Sequence, residues 1–152
     1  MLVHQITKPM RCLVAAAVVL TLVGLCIPPL AYAGVSFNTI DPVAVITDNG
    51  WQIIVTGPIA CTEHERASLH VTVTQRATGA VAKGRTRLRC TGGTRYWEVH
   101  AATYGNATFQ KGTATAVAVA RTTGRGEPTD AHQWLVDLTL VREQRDVPPA
   151  TR

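Results

Sequence analysis

The chain has 152 residues, 15 Lys and Arg against 10 Asp and Glu, and a formal net charge of +5. That length accommodates one domain with a real core, and the modest basic balance does not argue for nucleic-acid binding. No glycine-rich phosphate loop, dinucleotide fingerprint, HExxH pair or G-x-S-x-G elbow occurs, so nothing points to nucleotide, metalloprotease or acyl-transfer chemistry.

The first 33 residues have the layout of a secretion signal. Lys8 and Arg11 give a positive start, and 12–27 (CLVAAAVVLTLVGLCI) is an apolar run shorter than the ~20 residues that span a bilayer. Pro28 and Pro29 break the run, and Ala31-Tyr32-Ala33 offers small residues at the two positions a signal peptidase reads. The expectation is cleavage before Gly34 and no transmembrane segment afterwards. Cys26 is a poor lipid-attachment site because Leu25 before it is large. Loss of Lys8 and Arg11 leaves 13 basic against 10 acidic side chains, a net +3.

After Gly34, segments of strand character recur between Gly, Pro, Asn and Asp: 43–47, 51–56, 67–76, 81–90, 95–104, 113–122 and 132–141. Seven short strands and no helical periodicity predict an all-β fold. The expected architecture is an immunoglobulin-like antiparallel β-sandwich of about seven strands over 34–141, with a small barrel as the other all-β option. The charged segment 142–152, with Pro148-Pro149, reads as a frayed tail.

The two central hairpins carry a parity argument. With Thr78-Gly79 as a two-residue turn, Val73 lies opposite Gly84, Val71 opposite Thr86, Leu69 opposite Leu88 and Ala67 opposite Cys90. With 91–94 as the next loop, Leu88 faces Trp97 and Thr86 faces Val99. Both registers put the same residues on the dry side, and a slip of one would invert every side chain. The expected core is therefore Leu69, Val71, Val73, Leu88, Trp97 and Val99, with Trp134, Val136 and Leu138 from the last strand.

Removal of the leader takes Cys12 and Cys26 with it and leaves Cys61 and Cys90. An even pair in an exported chain reads as a disulfide, and no CxxC-type spacing supports a metal site beside it. Closing a loop of this length is worth about 3–4 kcal/mol by chain entropy.

The opposite side of the same strands is the most distinctive surface. Lys83, Arg85, Arg87 and Arg89 alternate along one strand, with His70 and Ser68 on one side and His100, Glu98 and Tyr96 on the other. The register expects Arg87 against Glu98 and Arg89 against Tyr96. Lys83, Arg85, Arg87, Arg89, His70 and His100 thus form a candidate platform for an anionic ligand, set against the simpler alternative of a solvated face. Glu63-His64-Glu65 beside Cys61 suggests a metal cluster, but neighbours in an extended chain point to opposite sides, and a polar loop is the expectation. The segment 121–130 (RTTGRGEPTD) reads as a long polar loop, a candidate recognition surface set against a plain solvent loop, and Asn106-Ala107-Thr108 is a glycosylation sequon.

With the spacing of Cys61 and Cys90, the RCTGGTRYW segment at 89–97 and the closing AHQWLVDLTLV strand at 131–141, the chain resembles a family of small secreted β-rich domains from high-GC Gram-positive bacteria. That resemblance implies a fold and an extracellular address and no known activity. The expectation is a secreted, non-catalytic module with no cofactor and no metal. Its partner would be an anionic cell-envelope polymer or a secreted protein; the alternative role is an inhibitor of a secreted protease or other hydrolase.

Overall fold

A computed structural model describes residues 34–142. The signal peptide expected over 1–33 and the tail over 143–152 lie outside the described residues, and Arg142 belongs to the last strand. The elements in chain order are β1 (Val35–Asn38), β2 (Val43–Thr47), a single 3-10 turn (Asp48–Gly50), β3 (Gln52–Cys61), β4 (Arg66–Gln75), β5 (Ala80–Arg89), β6 (Thr94–Thr103), β7 (Gly112–Gly124) and β8 (Glu127–Arg142). Nearly every strand alternates buried with exposed or half-buried positions, the period-2 pattern of a sheet with one dry face.

The expected sandwich is corrected: the strands close into a seven-stranded barrel. The ring runs β3-β2-β8-β7-β4-β5-β6 and returns to β3, because β6 pairs with β3 from Gln52↔Ala102 to Ala60↔Thr94. β2 completes the ring by pairing in parallel with β8 from Val43↔Thr139 to Ile46↔Arg142. A sandwich would leave those outer strands as edges; here pairing between residues far apart in sequence removes them. β1 lies on the same edge of β3 as β2, with a bend between them where the Thr39 and Asp41 amides donate to the Pro58 and Thr56 carbonyls. Pro58 has no N–H to offer along that edge, and the bend means none is needed.

The interior is filled by side chains. Ile53, Val55 and Ile59 from β3, Leu69, Val71 and Val73 from β4, Trp97 and Val99 from β6 and Leu138 and Leu140 from β8 are all buried. β7 contributes Ala114, Ala116, Ala118 and Ala120 and β5 contributes Ala80 and Ala82, small residues that offset the larger ones facing them in a narrow ring. Of the expected core, Leu69, Val71, Val73, Trp97, Val99 and Leu138 are buried, while Leu88, Trp134 and Val136 pack half-buried against it. Trp97 needs Gly57 beneath it, since a Cβ there would come within 2.8 Å of the indole Cζ2 and 2.3 Å of the Thr39 carbonyl.

The two ends are closed by different chemistry. At one, Phe109 plugs the barrel from the loop before β7, and Gln75 clamps that loop: its Nε2 donates to the Gln110 carbonyl at 2.8 Å and its Oε1 accepts the Gln110 amide at 2.9 Å. At the other, Cys61 and Cys90 form the expected disulfide, tying the end of β3 to the residue after β5.

The first expected register is two residues out. Gln75 pairs with Ala80, so the turn is the four residues Arg76 to Gly79, with Val73 opposite Ala82 and Val71 opposite Gly84. An even error leaves each side chain on its expected face. The second register is as expected, but only Ala82↔Thr103 and Lys83↔Ala102 share a ladder. Beyond them Gly84 rides over β6, where a Cβ would lie 2.7 Å from the His100 carbonyl and 2.9 Å from the Ala101 Cα. The expected loop at 121–130 is also corrected. β7 and β8 continue to Gly124↔Glu127, and Arg125 and Gly126, both at positive φ, make a tight hairpin turn.

Candidate functional site

Three adjacent strands build the basic face. β4 is the middle strand, with β5 on one side and β7 on the other, and its outward residues therefore have a neighbour on both flanks. Three cross-strand rows follow from the register: Thr123, Arg66 and Arg89; Arg121, Ser68 and Arg87; Val119, His70 and Arg85. Ser68 is the short side chain at the centre, and longer basic ones stand around it. The result is an open depression of about 620 Å3 whose walls include Arg66, His70, Arg87, Arg89 and Arg121.

The electrostatics of this face are one-sided. Arg66 is directly opposite Arg89, and His70 directly opposite Arg85. Like charges at such positions cost stability, by roughly 0.2–1 kcal/mol per pair when both are charged. Among the described residues no carboxylate lies within 4 Å of any of these guanidinium groups, and the two close acid–base contacts are His64 with Glu63 and His100 with Glu98. The Ser68 hydroxyl makes no hydrogen bond to another described residue. Four guanidinium forks, the His70 imidazole and a free hydroxyl thus border one concavity, a set of donors suited to binding oxyanions bidentately.

Several expected members of the platform fall elsewhere. Arg87, Arg89 and His70 line the depression, and Arg85 stands beside His70 at its margin. Lys83 is one step further along β5, with its ammonium 5.4 Å from the centre of the Tyr104 ring. His100 sits on β6, its Nε2 2.7 Å from Glu98 Oε1, outside the depression. The expected Arg87–Glu98 and Arg89–Tyr96 contacts are absent among the described residues, because β5 leaves the β6 ladder after Lys83.

Arg66 and Arg121 are the two members the sequence reading missed. Both carry the outward parity of their strands, but only the β4–β7 pairing brings Arg121 beside Ser68, 53 positions away in the chain. Glu63 and His64 are exposed in the turn before β4, while Glu65 is buried with its Oε2 unpartnered among the described residues. No group of three or more His, Cys, Asp or Glu among the described residues is arranged to hold a metal ion, and none of their helices is long and apolar enough to cross a membrane. No protein-family model matches the chain, and no curated protein is similar to it.

Proposed function

We propose that this chain is an exported, non-catalytic binding module whose β7–β4–β5 face holds an anionic polymer of the cell envelope. The observation that carries the reading is the convergence of Arg66, Arg87, Arg89 and Arg121 on one depression without a neutralising carboxylate among the described residues. An ordinary soluble surface intersperses both signs, whereas opposed like charges are retained at a cost. A phosphate- or carboxylate-bearing chain laid across the three rows would meet a guanidinium from each strand in turn. The leader sequence and the likeness to small secreted β-domains supply the address.

The test is binding of the exported protein to poly(glycerol phosphate), followed against salt. The expected result is an affinity that falls steeply as salt rises. Reversing two arginines that face each other across Ser68, Arg87→Glu with Arg121→Glu, removes two charge-assisted contacts and weakens binding at least tenfold, given about 1.5–3 kcal/mol for each. His100→Ala, outside the depression, leaves it unchanged. Equal binding by the double variant and the wild type, or no binding by either, would overturn the proposal.

A further inference from the structure

The first described residue is held more tightly than the start of a free strand requires. The Gly34 amide donates to Thr62 Oγ1 at 2.9 Å, and the Gly34 carbonyl accepts from the Thr62 amide at 3.1 Å. Next to it, the Val35 amide donates to Asp130 Oδ2 at 3.0 Å. That carboxylate presses on Gly34 itself: a Cβ at Gly34 would lie 2.6 Å from Asp130 Oδ2, and the backbone there has φ +147. Only glycine fits. Asp130 is half-buried, its Oδ1 accepts the Ala131 amide at 2.7 Å, and it has no cation within 4 Å among the described residues. A carboxylate is therefore lodged against the one α-carbon whose nitrogen would become charged by cleavage after Ala31-Tyr32-Ala33.

We infer that Asp130 and Thr62 form a receptor for the processed N-terminus, which removal of the leader completes with an ion pair. The inference rests on the export reading above. Hydrolysis of the Ala33–Gly34 bond by a signal peptidase consumes one water, leaves a carboxylate on Ala33 and frees an amine on Gly34 that takes up a proton at neutral pH. The new ammonium has three donors where the amide had one. It keeps the bond to Thr62 Oγ1 and adds a charged contact to the Asp130 carboxylate. Maturation thereby fastens β1 to the start of β8 and to the turn after β3. A bulky or β-branched residue at position 34 would be cleaved and then fail to dock.

The experiment uses the full-length chain exported by a bacterial host. The intact mass of the recovered protein is expected to correspond to residues 34–152. Acylation of its α-amine by an N-hydroxysuccinimide ester near neutral pH is expected to be about three- to tenfold slower than that of the free peptide Gly-Val-Ser-Phe, because the ion pair favours the protonated, unreactive amine. Asp130→Asn keeps an acceptor for Val35 and removes the charge, and it should restore most of that rate. A mass that starts elsewhere overturns both the cleavage site and the receptor. A Gly34 terminus that reacts as fast as the peptide, or equally fast with Asp130 or Asn at 130, overturns the receptor and leaves the export reading standing.

Discussion

The two edges of β5 are built in opposite ways. Toward β4, ten consecutive residue pairs share a ladder, from Arg66↔Arg89 to Gln75↔Ala80, while toward β6 only two pairs do. The first edge is held by repeated backbone hydrogen bonds, each modest and none decisive. The second is held by one close crossing at Gly84, by packing of Leu88 and Trp97, and by the Cys61–Cys90 bond that reaches from the end of β5 to β3. A regular edge tolerates single changes, and an edge with few attachments depends on each one. The basic face stands on the regular edge, where the rows of side chains are fixed by register. Its arginines can therefore be changed without unmaking the barrel.

The largest effect should come from the sparse edge. Replacing Cys61 and Cys90 together by alanine removes a link across 29 residues and is expected to lower unfolding stability by about 3–4 kcal/mol in urea titration. A loss below about 1 kcal/mol would show that packing alone closes the seam. Next is Gly84→Ala, whose methyl meets the backbone of His100 and Ala101 and cannot rotate away. The expected cost is about 1–3 kcal/mol by the same titration, with loss of amide protection at Ala102 and Thr103 in hydrogen exchange. The smallest effect belongs to the regular edge and has the opposite sign. Arg89→Ala relieves its opposition to Arg66 and should leave stability unchanged or raise it by a few tenths of a kcal/mol at low salt, a gain that disappears in high salt.

Most of the inner and outer faces was legible because strand parity is a local property. The turn between β4 and β5 has four residues and the sequence reading assumed two, yet Leu69, Val71 and Val73 still point inward, since the error was even. Closure was not legible. Whether β2 meets β8 and whether β6 meets β3 depends on the twist of the whole sheet, and neither pairing joins neighbours in the chain. The same limit applied to the site. Arg87, Arg89 and His70 come from one hairpin and could be grouped from sequence, whereas Arg121 joins them only through the β4–β7 pairing. The segment 121–130 misled because Gly124, Gly126 and Pro128 suggest a loop, while Arg125-Gly126 is a hairpin turn and a bulge at Thr122/Thr123 absorbs Thr129.

The parallel pairing of β2 with β8 also bears on when the fold can form. Val43 to Ile46 emerge early in synthesis, but their partners Thr139 to Arg142 come nearly a hundred residues later. Loop closure over that span is slow and opposed by entropy until the last strand exists. A chain that lacks residues 139–142 holds an unfinished sheet with β2 unpaired on that side, so the native state is expected to form only once the last strand is available.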